Sequence, residues 1–528
     1  MVLGNNKGTE ETRVREMDHA IIFNDLFLKR YLKNEEVTLF YMNDVVDLTS
    51  YMGDSKKFEE LYTYYEKTVP ADRTIKVPAS KLLNLFIDER FLQSREYCMF
   101  GDNVQQQGVF KVPVKSSNLC AEILLPTFPL RGISLKRNII FNSAEDRKKY
   151  YDLRREAYFS QIDDVKVLEF QKLMRPLYTF VNDDILAPVD ETKDYDYFDL
   201  KGYVNLSEIA VCILAGINMG YTSTKRIPIV AEFLVRFLEE LIDYMDYEIP
   251  EVEKAAKMRR TLGIGFSDTF HDLAKNKQFY NTRDGRQFTH DRVELAAYHM
   301  IRTSMELAKE KGPCQLFSDT KYSEGIFPRD TYKKTVDELC DGDANPFNLD
   351  WEALREDVKT HGMRHSTLMA NAPFGSSAMV SNSTSGIEPP RKLVNTKKGD
   401  IKIVPDYIKY GKYYTTAWSP EFNNVDYFKY AAIFQKFICQ SMSTNQYTNL
   451  IATGGKVKKS RLIAEFLTAY RYGLKTLYYS NIISNTRKDG EDEENLDLHN
   501  AVDDGDAVSE ELIEDDGPKG CASGACHV

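Results

Sequence analysis

Long apolar segments are missing from this sequence. No run approaches the ~18 consecutive apolar residues that a membrane-spanning helix needs, and the longest lies around Ile209–Ala215. The N-terminal stretch MVLGNNKGTEETRVREMDHA contains nothing that could serve as a signal peptide. These absences predict a cytoplasmic protein with no membrane partner, in which thiols stay reduced unless chemistry uses them.

The chain also lacks an excess of positive charge. Its 69 lysines and arginines are outnumbered by 80 aspartates and glutamates, which gives a formal net charge of -11. Because a nucleic-acid-binding surface is normally basic, we expect no nucleic-acid partner. Part of the negative charge is concentrated after Lys488, in a segment too poor in apolar residues to order itself. That segment is predicted to be a flexible tether.

Motifs for bound cofactors and metals are scarce. Gly454–Val457 is not a phosphate-binding Walker motif, because valine follows Lys456. His361 and His365 are four residues apart, but no carboxylate motif accompanies them. Surface or packing roles are therefore favoured over metal binding. We expect no metal site and no cofactor bound by this chain.

Strand-like and helical segments alternate along much of the chain, which predicts an α/β architecture with parallel strands. The clearest helical periodicities cover Ile227–Met245, Asp291–Lys311 and Ser460–Leu474, and an amphipathic pattern predicts another helix over Glu11–Lys33. Residues 133–202 differ from their surroundings in being rich in tyrosine, aspartate, lysine and arginine. We interpret this stretch as an insertion.

The segment SSNLCAE places a thiol between an amide and a carboxylate. If it continues as a strand into the apolar run Ala121–Leu125, then Asn118, Cys120 and Glu122 share one face, because strand side chains alternate. A hydrogen-bonding amide, a sulfur reactant and a general base would then point into the same space. A polar loop that enters a strand accounts for the same residues without any chemistry, and the segment alone does not separate the two interpretations.

Cys521 and Cys526 lie near the very end of the predicted tether. The small residues between them let the backbone turn tightly, so the two thiols can form a disulfide or exchange with another protein. The alternatives are an incidental terminal pair and a zinc site that includes His527, whose ligand set is incomplete. Thiol exchange is the interpretation that we favour.

Two further motifs have both a structural and a functional interpretation. Tyr478 and Tyr479 form an adjacent aromatic pair, which either packs in the core or relays a redox equivalent. Ser376 and Ser377 lie in a small, hydroxyl-rich segment just before SNSTSGIEPPR. Hydroxyl and backbone N–H groups in such a segment can hold a phosphate.

The order and combination of these motifs resemble one family, the large subunit of class I ribonucleotide reductase. The resemblance covers nearly the whole chain outside about 133–202 and is carried by SNLCAEILLPT, RRTLGIGF, DWEALREDVKTHGMRHSTL, SNSTSGIEPPR, GLKTLYYSN and the terminal CASGAC. It implies part of a ten-stranded α/β barrel with a central finger loop, a C-terminal α+β domain and a disordered tail. The implied boundaries are 1–132 (barrel portion with the finger loop), 133–202 (insertion), 203–320 (remaining barrel portion), 321–487 (C-terminal domain) and 488–528 (tail).

The resemblance also implies a role for each motif residue. Cys120 matches the cysteine that becomes a thiyl radical, Glu122 the base on the ribose 3′-hydroxyl, and Asn118 an amide that holds the substrate hydroxyls. Cys212 matches one of the two cysteines that reduce the ribose. The remaining matches are the radical-relay pair Tyr478 and Tyr479, the re-reducing tail dithiol Cys521 and Cys526, and the diphosphate ligands Ser376 and Ser377.

The implied reaction converts ribonucleoside diphosphates to 2′-deoxyribonucleoside diphosphates. Its implied partners are a small subunit with a metal-radical cofactor of the di-iron tyrosyl type, and thioredoxin or glutaredoxin. The family's N-terminal part, including the redox partner of Cys212, has no counterpart in this sequence. We therefore expect a split large subunit, in which a separate N-terminal large-subunit fragment completes a chain that is inactive alone. A fragment cut from a longer chain is the other explanation. In the phosphate-binding segment, Phe374 and Gly375 stand where polar residues are more usual.

Two alternative functions are weighed against this one. A non-catalytic scaffold or regulatory subunit that retained the fold is the first, and the intact Cys120, Glu122 and Cys212 argue against it. An anaerobic glycyl-radical reductase is the second. The sequence lacks a C-terminal glycyl-radical segment, and the tyrosine pair favours class I.

Overall fold

A computed structural model of the chain describes residues 18–127, 137–159, 208–247, 249–397 and 400–484, together with the short stretches 173, 176, 178–180, 195–198 and 502–503. Cys521 and Cys526, most of the tether and most of residues 133–202 lie outside the described residues. In the described part of the chain, no helix combines the length and the apolar character needed to cross a membrane.

Helices make up most of the regular structure. In chain order they are α1 (Asp25–Leu32), α2 (Ser55–Thr68), α3 (Ala79–Gln93), α4 (Gly101–Gln107), α5 (Ala144–Phe159), α6 (Ile227–Tyr244), α7 (Pro250–Arg259), α8 (Thr269–Lys275), α9 (Arg283–Lys311), α10 (Pro328–Thr331), α11 (Trp351–His361), α12 (Gly375–Val380), α13 (Tyr407–Tyr410), α14 (Asn424–Gln435) and α15 (Lys459–Arg471). The three strongest helical predictions correspond to α6, α9 and α15. Of these, α9 begins eight residues earlier than the periodicity indicated, at Arg283.

The strands are short. They are β1 (His19–Phe23), β2 (Glu36–Phe40), β3 (Thr74–Pro78), β4 (Glu96–Phe100), β5 (Arg137–Phe141), β6 (Tyr178–Phe180), β7 (Tyr195–Phe198), β8 (Ile213–Asn218), β9 (Leu262–Ser267), β10 (Val394–Lys397), β11 (Asp400–Ile403), β12 (Gln446–Asn449), β13 (Val457–Lys458), β14 (Thr476–Leu477), β15 (Ser480–Ile483) and β16 (Val502–Asp503). Parallel pairs join β1 to β4, β8 to β9, β12 to β15 and β13 to β16. Antiparallel pairs join β2 to β3, β10 to β11, β14 to β4, and both β6 and β7 to β5.

The unit from β8 to β9 shows how the sequence produces parallel strands. Helix α6 buries Ala231, Val235, Leu238 and Ile242, whose spacing places them on one helical face. With α7, it carries the chain back so that β9 runs parallel to β8, with Ile213 opposite Leu262. All six residues of β9 are buried, as expected for a strand inside a parallel sheet. The chain is thus a mixed helix and strand protein, while the ten-stranded barrel stays a prediction.

A second sheet brings the two ends of the described chain together. The fully buried β4 has β1 parallel on one side and β14 antiparallel on the other. Because β14 ends at Leu477, the tyrosine pair that follows it lies beside β4. A continuous hydrophobic core extends from β4 through β9 to α9 and α14.

Two predictions from periodicity are wrong. The helix expected over Glu11–Lys33 is interrupted, because His19–Phe23 pairs with β4 as a strand and α1 begins only after Asn24. The apolar run Ala121–Leu125 is not a strand; residues 113–127 form a loop with a turn at its tip. In both places contacts with a segment distant in sequence determine the local conformation. The local spacing of apolar residues does not reveal such a partner.

Candidate active site

A tight loop presents Cys120 at its tip. The N–H of Ala121 bonds to the carbonyl of Asn118 at 3.1 Å, and Ala121 has a φ of 64° in the left-handed region. The side-chain Oδ1 of Asn118 accepts the N–H of Ile123 at 3.0 Å. Asn118 therefore fastens the base of the loop, and the turn, rather than strand alternation, sets where Cys120 and Glu122 lie.

Three donors from distant segments hold the carbonyl groups of this loop. The Ser443 hydroxyl lies 2.6 Å from the carbonyl oxygen of Cys120. The Thr476 hydroxyl donates to the carbonyl of Ala121 at 2.8 Å, and the N–H of Ser441 donates to the carbonyl of Glu122 at 2.9 Å. These bonds offset the cost of the left-handed alanine, roughly 1–2 kcal/mol. The loop is thus fixed by the protein core on its inner side.

Tyr478 connects the radical-cysteine candidate to the aromatic pair. Its hydroxyl donates to Sγ of Cys120 at 3.5 Å, and its ring centroid lies 3.8 Å from that of Tyr479. Burial, followed by the contacts with Cys120 and Tyr479, raises the pKa of the Tyr478 hydroxyl far above its usual value. The phenol therefore keeps its proton at neutral pH.

A third tyrosine, which sequence reasoning missed, packs against the pair. Tyr97 stacks on Tyr478 with ring centroids 5.3 Å apart and lies 5.9 Å from Tyr479. Burial, followed by the neighbouring Tyr479 phenol, raises the pKa of its hydroxyl. Tyr97 lies in β4, and its segment showed only an ordinary strand pattern, so nothing in the sequence linked it to a motif 381 residues away.

Cys212 lies immediately before β8 and shares a neighbour with the loop. Gln440 donates from Nε2 to Sγ of Cys212 at 3.5 Å, while its Oε1 accepts the N–H of Leu124 at 3.1 Å. Burial raises the pKa of the Cys212 thiol well above its usual value, and the Gln440 hydrogen bond opposes that rise. A Cβ on Gly263 would lie 2.6 Å from Cδ2 of Leu214 and 3.0 Å from Sγ of Cys212, so a larger residue there would have to displace these side chains.

The predicted phosphate ligands Ser376 and Ser377 are exposed in the first turn of α12. This helix is placed beside β8 by Phe374, whose ring fills the space above Gly216; a Cβ on Gly216 would come within 2.3 Å of it. Upstream, Asn371 is bonded through its backbone to both Ser441 and Ser443. The structure therefore brings the hydroxyl-rich segment next to the Cys212 strand and the segment that holds the Cys120 loop.

The structure thus assembles Asn118, Cys120, Glu122, Cys212 and the tyrosine pair around residues 440–443. Gln440, Ser441 and Ser443 were not singled out from the sequence. The available signal was the polar stretch QSMSTNQ, which begins at Gln440 shortly after the apolar helix α14 ends at Gln435. Its residues are almost all buried, and buried polar side chains require partners.

Comparison with known proteins shows which family and which proteins the chain is similar to. The sequence profile described as "Ribonucleotide reductase, barrel domain" matches residues 1–480. The chain is 36% identical over 537 residues to the ribonucleoside-diphosphate reductase 1 subunit alpha of Escherichia coli, covering 100% of this chain and 58% of that protein. It is 34% identical over 495 residues to the ribonucleoside-diphosphate reductase subunit alpha of Enterobacteria phage T4, covering 91% of this chain and 55% of that protein. For the corresponding subunit of Buchnera aphidicola subsp. Baizongia pistaciae the identity is 36%, with 91% and 55% covered. The chain therefore spans little more than half the length of these relatives.

Proposed function

Because the chain belongs to the ribonucleotide reductase barrel-domain family, we propose that it carries the radical cysteine of a ribonucleoside-diphosphate reductase. The observation that carries the proposal is the continuous path from Tyr479 through Tyr478 to Cys120. The two rings are in contact, and the Tyr478 hydroxyl bonds to the Cys120 thiol at 3.5 Å. Packing alone does not require a phenol to point at a partly exposed thiol.

The path suits transfer of a hydrogen atom into the active site. When Tyr478 has lost its electron and proton, the phenoxyl radical takes the hydrogen of the Cys120 thiol across this contact. The phenol is restored and a thiyl radical is left on sulfur. A thiyl radical can remove hydrogen from a ribose carbon and later return it, which no acid or base can do. Cys120 is partly exposed, as this role requires.

Glu122 and Cys212 supply the remaining chemistry on this chain. Glu122 acts as the base on the ribose 3′-hydroxyl while water leaves the neighbouring carbon, and Asn118 is assigned to the substrate hydroxyls. Cys212 supplies one of the two thiols whose oxidation to a disulfide provides the two electrons of the reduction. The position of Gln440 between the Cys120 loop and Cys212 supports a shared site.

The proposal includes four further assignments. Ser376 and Ser377 hold the substrate diphosphate. Cys521 and Cys526 re-reduce the active-site disulfide and are recharged by thioredoxin or glutaredoxin. A small subunit supplies the radical from its metal-radical cofactor. A separate N-terminal large-subunit fragment supplies the second reducing cysteine.

A non-catalytic scaffold or regulatory subunit is the competing function. It predicts that the Cys120, Tyr478 and Cys212 contacts have no bearing on nucleotide reduction. The retention of three chemically distinct groups around one buried segment is the observation against it, because drift in an inactive subunit has no reason to keep them together.

The deciding experiment measures reduction of ribonucleoside diphosphates by the chain alone, with a small subunit, and with both a small subunit and an N-terminal fragment. We expect activity only in the third mixture. Activity without the N-terminal fragment refutes the split-subunit assignment. Cys120→Ser should abolish turnover in every mixture, and turnover by that variant refutes the radical assignment.

The tail assignment has its own test. Replacing Cys521 and Cys526 together with serine should spare a single turnover and stop cycling driven by thioredoxin, while dithiothreitol still supports cycling because a small reductant reaches the disulfide directly. Unchanged thioredoxin-driven cycling contradicts the assignment.

A further inference from the structure

The hydroxyl group of Ser443 contacts both Cys120 and Glu122 of the loop. Its Oγ lies 2.6 Å from the carbonyl oxygen of Cys120 and 3.2 Å from Oε2 of Glu122. Ser443 is 6% exposed and Glu122 is 2% exposed, so water has little access to either contact. A serine hydroxyl has a single proton to donate. It therefore cannot make a well-aligned hydrogen bond to both oxygens at the same time.

The charge of Glu122 decides which oxygen receives this proton. An ionised carboxylate makes a charge-assisted hydrogen bond and is a stronger acceptor than a peptide carbonyl, so the ionised form draws the Ser443 proton towards Glu122. Once Glu122 holds a proton, its own O–H can donate to Ser443 Oγ, and Ser443 then donates to the Cys120 carbonyl. The two arrangements differ by rotation of hydroxyl groups, and no proton is gained or lost by Ser443.

The rest of the loop does not share this dependence. The Ala121 carbonyl is held by the Thr476 hydroxyl and the Glu122 carbonyl by the N–H of Ser441. Neither donor is shared with the Glu122 carboxylate. The backbone N–H of Ser443 bonds to the carbonyl of Asn371 at 2.9 Å, so the residue itself is fixed while its hydroxyl can rotate. Only the carbonyl of Cys120 gains or loses its donor as Glu122 changes charge.

We infer that Ser443 is a positioning residue that couples the protonation state of Glu122 to the placement of Cys120. When Glu122 accepts the proton of the ribose hydroxyl, the Ser443 proton returns to the Cys120 carbonyl and holds the loop through the steps that follow. The inference rests on the proposed function, since Glu122 changes protonation during turnover because it acts as the base.

The test compares Ser443→Ala, Ser443→Thr and wild type in the mixture with the small subunit and the N-terminal fragment. Ser443→Ala should lower the single-turnover rate at saturating nucleotide about tenfold, as expected for one hydrogen bond. The nucleotide concentration for half-maximal rate should change by less than about twofold, because Ser443 acts through Cys120 and Glu122 and is only 6% exposed. Ser443→Thr keeps the hydroxyl and should restore most of the rate. Ser366→Ala is the matched control, since that buried hydroxyl has no hydrogen-bond partner within the described residues.

The outcomes separate this inference from the proposed function. No reduction by the wild-type mixture overturns the proposed function itself. With an active wild type, an unchanged rate in Ser443→Ala overturns the inference, and so do equal losses in Ser443→Ala and Ser443→Thr, which would point to side-chain volume. If thermal melting shows that Ser443→Ala does not fold, Ser443→Cys replaces it with the same expectation, because a thiol is a weak donor of similar size.

Discussion

Gln440→Leu should weaken the fold and slow the chemistry of one cysteine at the same time. Gln440 is fully buried, and its amide donates to Sγ of Cys212 and to the carbonyl of Leu262, while its Oε1 accepts the N–H of Leu124. Leucine has nearly the same volume and none of these bonds. The carbonyl of Leu262 keeps the hydroxyl of Thr367 as a donor, so the N–H of Leu124 is the group left without a partner.

The expected loss of stability follows from these contacts. A buried N–H left unpaired costs about 1–3 kcal/mol, and each lost bond donated by the amide about 0.5–1.5 kcal/mol. The apolar surface of leucine offsets about 1–2 kcal/mol of this. We expect the free energy of unfolding, measured with urea, to fall by about 2–3 kcal/mol.

The thiol provides the second measurement. The Gln440 bond lowers the pKa of the Cys212 thiol, so its loss should reduce the thiolate fraction. Alkylation of Cys212 by iodoacetamide, located by mass spectrometry, should slow about three- to tenfold. Gln435→Leu is the matched control: Gln435 is buried at the end of α14 and donates to the carbonyls of Ile438 and Gln440, but within the described residues its side chain contacts neither Cys120 nor Cys212. It should lose stability with no change at Cys212.

Buried Cys314 reports any general opening of the variants, because it is 3% exposed. If Cys212 of Gln440→Leu reacts as fast as in wild type while Cys314 stays protected, Gln440 does not tune the thiol. If the free energy of unfolding changes by less than about 0.5 kcal/mol, the assignment of the Leu124 N–H as an unpaired group is wrong.

Three further outcomes follow from other contacts. His271 lies between Asp268 and Asp406, and these two carboxylates raise its pKa against the opposing effect of burial. The stability that His271 contributes is therefore complete below the unfolded pKa of about 6.5 and is lost as pH rises through the higher folded pKa. The loss in the free energy of unfolding caused by His271→Gln, measured with urea, should be larger at pH 6 than at pH 9. Equal losses at the two pH values contradict the ion pairs. Gly216→Ala should cost about 1–3 kcal/mol through its clash with Phe374, and Phe374→Leu in the same chain should restore most of that loss in a double-mutant cycle. Tyr478→Phe keeps the ring but removes the hydrogen bond to the Cys120 thiol. Nucleotide reduction should cease, while the melting temperature should stay within a few degrees of the wild-type value. Turnover near the wild-type rate argues against the relay.

Local patterns in the sequence predicted the helices well and the strands less well. Helices α6 and α15 end within a few residues of the predicted limits, because a buried apolar stripe repeats within the helix itself. Strand β1 was predicted as helix, since its partner β4 lies 77 residues away, and the pairing leaves no period in the local sequence. The same reason explains the wrong strand at Ala121–Leu125, where residues 440–443 and Thr476 hold the chain as a loop.

The sequence by itself determined the chemical inventory of this protein. Residue types and their spacing can be read from the sequence without a structure. They identified the family through the order of Asn118, Cys120 and Glu122, the adjacent tyrosines and the distant Cys212. Only the tertiary structure determined which of these side chains are in contact. The hydroxyl of Tyr478 reaches Cys120 across 358 residues of sequence, and Gln440 and Ser443 link the loop to Cys212 and Glu122. Such contacts depend on how separate elements pack around a common core, and packing brings together residues whose separation in sequence carries no signal of their contact.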